Sequence, residues 1–109
     1  LCGEVRGGAY DPAHGTFPTT LVFVAGPNAD ARSLERRDRC SSMRRTYCAA
    51  ARDSFAFHRE ATQCALRVAM DAAIVEECDV VLLAMVACGL YAGPHAAAMR
   101  DEFPVIVTE

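Results

Sequence analysis

The sequence VVLLAMVACGLYAGPH, residues 80–95, carries the clearest structural signal in the chain. It passes from an apolar run, Val80 to Val86, through a segment of small residues, Ala87 to Gly93, to a helix-compatible segment that opens at Pro94. Small side chains allow backbone N–H groups to approach an anion, and a following helix start adds partial positive charge. A strand, a glycine-containing turn and a helix in this order therefore predict a phosphate-binding loop.

A second strand is predicted upstream, where residues 19–25 read TTLVFVA and are apolar and β-branched. The turn Gly26-Pro27-Asn28 follows it directly. Like residues 80–85, this stretch is continuously apolar, as are strands whose sheet is covered by helices on both faces. Ligands of such parallel sheets lie at the carboxyl ends of the strands, so we expect this turn and the 87–93 loop to line one cleft.

The sequence between the two strands has a helical pattern. A polar helix is predicted to begin at Ala31 and to break near Ser41-Ser42. An Ala-rich helix follows and ends near Cys78, with a loop at residues 55–60 that divides it. Its buried face is predicted from residues three and four apart: Leu66, Met70, Ala73 and Ile74.

The end of the chain is predicted to contain a short helix, His95 to Glu102, which stops at Pro104, and a third strand, Val105 to Thr108. The element order β, α, β, α, β predicts an α/β fold with a mostly parallel sheet, because right-handed crossovers bring successive strands into one sheet. We expect a single domain over residues 1–109, which begins with an irregular segment at residues 1–18.

Composition and cysteine usage narrow the class of protein. The chain has 109 residues, of which 52% are apolar, and this is enough for a packed core. No apolar run has the roughly 18–20 residues of a membrane helix, and the opening LCGEVRGGAYD does not resemble a signal peptide. The six cysteines form no CxxC pair, so we expect reduced, buried thiols in an intracellular protein, with disulfides or metal binding as alternatives.

Positive charge is concentrated in one part of the chain. All eleven basic residues are Arg, and residues 32–59 contain eight of them against three acidic residues. This segment is either a solvated helical face or a surface that attracts phosphates or an anionic partner. Because there is no Lys, Schiff-base chemistry by a lysine is excluded within these residues.

Two segments together resemble a known family. Residues 19–28, TTLVFVAGPN, form a strand that ends in a Gly-Pro turn, and residues 87–93, ACGLYAG, follow the second strand after an Arg-containing helix. This arrangement resembles the second half of a macrodomain, the ADP-ribose-binding fold, and is closest to its microbial poly(ADP-ribose) glycohydrolase-like branch. The resemblance covers roughly residues 19–109 and implies a three-layer α/β/α fold. It also implies that the family's first half lies elsewhere on the gene product or on another chain, or that the fold is reduced.

The resemblance implies a function and a binding site. The chain would bind ADP-ribose or ADP-ribosylated protein, and as an ADP-ribosylhydrolase it would also cleave the ADP-ribosyl linkage, with catalytic residues that stay unassigned. The backbone amides of residues 88–91 would hold the diphosphate, and Tyr91 would lie against the distal ribose. The implied ligand-binding residues are Gly26, Pro27, Asn28, Ala87, Cys88, Gly89, Leu90, Tyr91, Ala92 and Gly93. No metal or cofactor is implied, and neither a membrane nor nucleic acid is expected as a partner.

Simpler structural roles remain open for these residues. Gly89 and Gly93 can merely turn the chain while Tyr91 fills a gap in the core, and Asn28 can stabilise its own turn. Cys88 is a weak candidate nucleophile, because no histidine is placed by the sequence to act as its base. The alternative function is a non-catalytic α/β interaction domain whose Arg-rich helix docks on an acidic partner.

Three further groups of residues receive mainly structural interpretations. Asp11, with His14 nearby, is expected to serve a turn, and action on a leaving group is the alternative. Tyr47, Phe55 and Phe57 are predicted to be packing residues. The sequence His58-Arg59-Glu60 is interpreted as an exposed helix start.

Overall fold

The computed structural model describes residues 19–30 and 42–108, together with the backbone of four two-residue strands near the start of the chain. The strands are β1 (Cys2–Gly3), β2 (Val5–Arg6), β3 (Ala9–Tyr10) and β4 (Thr16–Phe17). β1 pairs with β4 and β2 pairs with β3, and both pairs are antiparallel. The polar helix predicted from Ala31 lies outside the described residues up to its break near Ser41-Ser42.

Helices make up most of the described structure. They are α1 (Ser42–Asp53), α2 (Phe55–Val75) and α3 (Ala96–Thr108), and a six-residue 3₁₀ helix, Leu90–His95, leads directly into α3. Ser54 separates α1 from α2, because its backbone is extended and its hydroxyl accepts a hydrogen bond from the amide of Phe57 at 3.2 Å. The predicted loop at residues 55–60 is therefore wrong, since these residues form the first turns of α2.

The buried face of α2 consists of residues spaced by three and four: His58, Thr62, Leu66, Ala69 and Ala73. The predicted face shared Leu66 and Ala73 with it but also included Met70 and Ile74, which are exposed. Apolar character alone predicted the wrong edge of the stripe, because the buried face includes the polar residues His58 and Thr62.

The last helix differs most from its prediction. α3 continues through Pro104, and residues 105–108 are helical instead of forming a strand. The residues Met99, Phe103 and Ile106 are spaced by four and three, so they lie on one face of a helix, and all are buried. An interior proline costs roughly 3 kcal/mol, whereas burying each of two large side chains contributes about 1.5–3 kcal/mol. Burial of Phe103 and Ile106 is therefore large enough to offset the proline.

The predicted α/β fold with a mostly parallel sheet is wrong. Residues 19–25 and 80–85 are neither helix nor strand, and no backbone hydrogen bond within the described ranges joins them. Their side chains are also open to solvent, with Phe23 91% and Leu82 94% exposed. An apolar, β-branched segment becomes a strand only when a neighbouring strand satisfies its backbone groups. Without that neighbour, the described part of the chain is a small helical fold.

A single apolar cluster joins α2, the loop that precedes α3, and α3 itself. Its members are Leu66, Cys88, Ala92, Met99, Phe103 and Ile106, with Phe55, Val86 and Ala96 packed at its edge. Cys88 and Ala92 belong to the segment predicted to hold phosphate. The loop is therefore positioned by the hydrophobic core and does not stand at the rim of a sheet.

The described thiols fall into two groups. Cys48 and Cys88 are buried, whereas Cys64 and Cys78 are exposed, and all of them are free. Burial was thus predicted correctly for two of these four, and the side chains of Cys2 and Cys40 lie outside the described residues. In the described part of the chain, no cluster of three or more His, Cys, Asp or Glu is arranged around a metal position. No helix there has the length and apolar character needed to cross a membrane.

Met99 provides a test of this core. Its side chain is 0% exposed, so Met99→Ala is expected to lower the free energy of unfolding by about 2–5 kcal/mol, because it removes apolar contacts and leaves a cavity. The control is Met43→Ala, because Met43 is 81% exposed. This substitution should change the free energy of unfolding by no more than about 0.5 kcal/mol. Urea unfolding of both variants measures the difference. Equal effects would contradict the packing of α3.

Candidate functional site

The two segments predicted to bind ligand lie against each other. The amide of Ala29 donates a hydrogen bond to the carbonyl of Tyr91 at 2.7 Å. A Cβ atom on Gly26 would lie 2.8 Å from Cγ1 of Val86, and one on Gly93 would collide with the carbonyl oxygen of Ala29. The 26–29 turn and the 87–93 loop are thus joined by direct packing and not by a sheet. Their role in binding a ligand stays a prediction.

Asn28 has a structural role within its turn. Its side-chain oxygen Oδ1 accepts a hydrogen bond from the amide of Asp30 at 2.9 Å. This is the short-range bond by which asparagine stabilises a turn. Pro27 and Ala29 on either side are buried, so this part of the turn faces the protein.

The centre of the loop faces outward. Leu90 and Tyr91 are 63% and 57% exposed, and a Cβ atom on Gly89 would meet open space. The amide of Ala92 donates to the carbonyl of Gly89 at 3.0 Å, which closes the first turn of the 3₁₀ helix. Among the described hydrogen bonds, none is donated by the amides of Gly89, Leu90 or Tyr91. The amides at the start of a helix have no acceptor within the helix, and residues 89–91 are exposed to solvent.

The fourth donor implied by the resemblance is already used. The amide of Cys88 donates to the carbonyl of Met85 at 3.4 Å. The Cys88 side chain is buried, with Sγ 3.3 Å from the carbonyl oxygen of Val86. Burial raises the pKa of this thiol, and the positive charge of Arg100 opposes the rise. Cys88 therefore packs into the core as a neutral thiol, which does not favour a role as nucleophile.

His58 is a residue whose role sequence reasoning missed. It was interpreted as part of an exposed helix start, but its side chain is 0% exposed. Its Nε2 lies 3.0 Å from the carbonyl oxygen of Ala87, the first residue of the loop. Because a carbonyl only accepts, Nε2 carries the proton and donates. The signal that could have revealed this burial is the spacing of four residues from His58 to Thr62 and from Thr62 to Leu66.

His95, which lies just after the 87–93 loop, connects that end of the loop to α1. Its Nε2 lies 3.0 Å from the carbonyl oxygen of Ala51 in α1. The His95 ring also lies beside His58 and Phe55, with ring centroids 5.5 Å and 5.6 Å apart. One histidine therefore bonds to the start of the loop and the other ties its end to a neighbouring helix.

The titration of His58 is controlled by its surroundings. Burial lowers its pKa, the hydrogen bond to Ala87 opposes this, and charge on His95 lowers it further. Its second ring nitrogen, Nδ1, is buried and has no hydrogen-bond partner in the described structure. The neutral ring with its proton on Nε2 is therefore the form that fits this position.

The remaining candidate residues have packing roles or lie outside the described residues. Tyr47 and Phe57 form an edge-to-face pair with ring centroids 5.3 Å apart. Arg59 pairs with Glu102 of α3 at 2.7 Å, so this guanidinium joins two helices. Other basic and acidic residues discussed from the sequence lie outside the described residues: Asp11, His14, Arg32, Arg36, Arg37 and Arg39.

A scan against protein-family models and searches of curated proteins and of solved structures found no match to this chain. The likeness to a macrodomain therefore rests on the sequence of residues 19–28 and 87–93 alone.

Gly93 and Gly89 provide a matched test of the loop. Gly93 has φ +53 and no room for a Cβ atom beside Ala29, whereas a Cβ atom on Gly89 contacts nothing within 4 Å. Gly93→Ala should therefore lower the melting temperature more than Gly89→Ala does, because it combines a clash with a left-handed backbone that disfavours Cβ. Thermal unfolding monitored by circular dichroism measures both variants. An equal or reversed order would contradict the contact between turn and loop.

The buried histidine predicts how stability depends on pH. Because the pKa of His58 is lower in the folded protein than its ordinary value of 6.5, the unfolded state binds more protons as the pH falls below that value. Stability is then lost with decreasing pH, by at most about 1.4 kcal/mol per pH unit from this group. Urea unfolding over a series of pH values should give a shallower decline for His58→Gln than for the wild type. Identical declines would show that His58 does not titrate with unfolding.

Proposed function

We propose that this chain binds ADP-ribose, either free or attached to protein, through the amides of Gly89, Leu90 and Tyr91. The observation that carries the proposal is that these three adjacent residues are exposed and that their amides donate no hydrogen bond among the described residues. The local sequence ACGLYAG supports it through its resemblance to a macrodomain loop. The proposal does not require a macrodomain sheet, which the structure contradicts.

The chemistry of the loop favours a diphosphate group. Hydrogen bonds from amides to a charged phosphate contribute about 1.5–3 kcal/mol each. Binding with a micromolar dissociation constant needs about 8 kcal/mol net of the cost of association. Three amides alone fall short of this, so the rest of the ligand has to contribute. Tyr91 offers an exposed aromatic face for the ribose.

Binding is proposed without an assigned catalytic group. Cys88 and His58 are buried beneath the loop, so neither side chain reaches the exposed face where a ligand would lie. An ADP-ribosylhydrolase activity stays a prediction that only turnover of an ADP-ribosylated substrate can test.

Partners and cellular location also remain part of the proposal. A complementary segment, on the same gene product or on another chain, is proposed to cover residues 19–25 and 80–85. Its support is that Phe23 and Leu82 expose nearly their whole side chains, and large exposed apolar patches are typical of interaction surfaces. An intracellular, reducing location is proposed because the described thiols are free. Docking of an acidic partner is the alternative, for which Arg45 and Arg52 of α1 are exposed, whereas Arg59 is paired with Glu102.

Titration calorimetry with ADP-ribose tests the binding proposal directly. The wild type is expected to bind in the micromolar range or better, and Gly89→Glu is expected to abolish binding because a carboxylate would stand where the phosphates lie. Open space around Gly89 leaves room for the side chain without a clash, so the effect should be on the ligand and not on folding. Thermal unfolding of the variant verifies that it is folded.

The matched control is Gly89→Gln, which has the same bulk without the charge. It should weaken binding less than Gly89→Glu does, because only the carboxylate repels the diphosphate. The paired variant Arg45→Gln with Arg52→Gln removes two exposed charges from α1. If this pair weakens binding more than Gly89→Glu does, the ligand is held by the basic helix and the loop proposal fails.

A further inference from the structure

The first residue of the loop has a conformation that other groups must hold. Ala87 has φ +55, in the left-handed region that residues with a Cβ atom rarely adopt. Its carbonyl oxygen accepts the hydrogen bond from Nε2 of His58 at 3.0 Å. This is a bond from a buried side chain of α2 to the backbone immediately before the exposed amides of residues 89–91.

The bond is supported by its surroundings. Thr62 donates its hydroxyl to the backbone carbonyl of His58 at 2.8 Å, and both side chains are 0% exposed. His95 packs beside the His58 ring and is itself tied to Ala51 at the end of α1. The His58 ring is thus held in place by its own helix and by the far end of the loop whose start it bonds.

We propose that His58 is a positioning residue, which holds the 87–93 loop in its ligand-binding conformation through Ala87 and makes that conformation sensitive to pH. The sensitivity to pH follows from the two nitrogens of the ring. Nε2 needs its proton to bond Ala87, whereas Nδ1 is buried without a partner in the described structure. A second proton on Nδ1 has no acceptor there and adds a charge inside the protein, which is unfavourable without a partner. Acid therefore releases the ring from Ala87 and frees the loop.

The neighbouring charged groups do not compensate for that charge. The titratable group that acts on His58 is His95 from the 3₁₀ helix, and protonation of His95 adds repulsion. On α2 the next residue, Arg59, is positive and paired with Glu102 of α3. Asp53 at the end of α1 is exposed to solvent. Release at acidic pH is therefore the expected direction.

The effect on ligand affinity rests on the proposed function, whereas the effect on the loop does not, so two measurements are needed. Amide hydrogen exchange without ligand reports the loop itself, through the hydrogen-bonded amides of Cys88 and Ala92. ADP-ribose affinity measured between about pH 8 and about pH 5.5, which spans the range in which histidine titrates, reports the consequence for binding. Both are made on the full 109-residue chain.

Three variants separate positioning from general destabilisation. His58→Gln keeps an N–H donor for Ala87 but does not titrate, His58→Phe removes the donor, and Ala73→Gly weakens α2 at a buried site far along the helix. In the wild type, affinity should fall toward acid, and so should the protection factors of these amides, which are corrected for the intrinsic pH dependence of exchange, each by at most roughly tenfold per pH unit. His58→Gln should restore protection and affinity with little dependence on pH. In His58→Phe the loop amides should exchange faster than in the wild type at every pH. In Ala73→Gly the pH dependence of exchange and of affinity should be that of the wild type.

Two outcomes overturn the inference. One is the same pH profile in His58→Gln as in the wild type, and the other is loop exchange in His58→Phe no faster than in Ala73→Gly. Failure of every variant and of the wild type to bind ADP-ribose would contradict the proposed function alone. The exchange measurements would still decide whether His58 positions the loop.

Discussion

Burial of two small residues, Cys88 and Ala92, is the constraint on which the rest of the described fold depends. They pack in one cluster with Leu66 of α2 and with Met99 and Phe103 of α3. Neither helix can bury its apolar face alone, because an amphipathic helix needs a surface against which to pack. The loop supplies that surface, and its small side chains allow its backbone to approach both helices. A segment that looks like an exposed binding loop in the sequence is thus also a structural part of the core.

The same packing determines which part of the loop faces solvent. Cys88 and Ala92 are four residues apart and point inward, so the intervening residues 89–91 are left on the outside. The bond from Ala29 to Tyr91 and the bond from His58 to Ala87 then hold the two ends of this exposed stretch. The exposure of three neighbouring amides is therefore a consequence of core packing, and this links the stability of the helices to the geometry of the candidate site.

The exposed apolar segments show why a loop can resemble that of a known family in a chain that has a different fold. A strand needs neighbours that satisfy its backbone groups and cover its faces, and those neighbours can lie far away in the sequence. Residues 19–25 and 80–85 have strand composition, but within the described ranges they lack such neighbours. A backbone loop, in contrast, depends mainly on a few adjacent residues and on whatever packs beneath it. Residues 87–93 can therefore resemble a macrodomain loop while the described fold is helical.

The sequence by itself determined the helical character of residues 42–75 and the position of the 87–93 loop, because helix periodicity and small residues act over short distances. It also placed the 26–28 turn near that loop, although by an argument about a sheet that does not form. Only the tertiary structure decided that residues 105–108 continue a helix past Pro104, since this depends on burying Phe103 and Ile106 against distant residues. The spacing of His58, Thr62 and Leu66 was compatible with a buried histidine, but only the tertiary structure revealed the partner of its ring, because that partner is a backbone carbonyl of Ala87, 29 residues away along the chain. A hydrogen bond to a backbone carbonyl cannot be predicted from the sequence, because every residue has such a carbonyl.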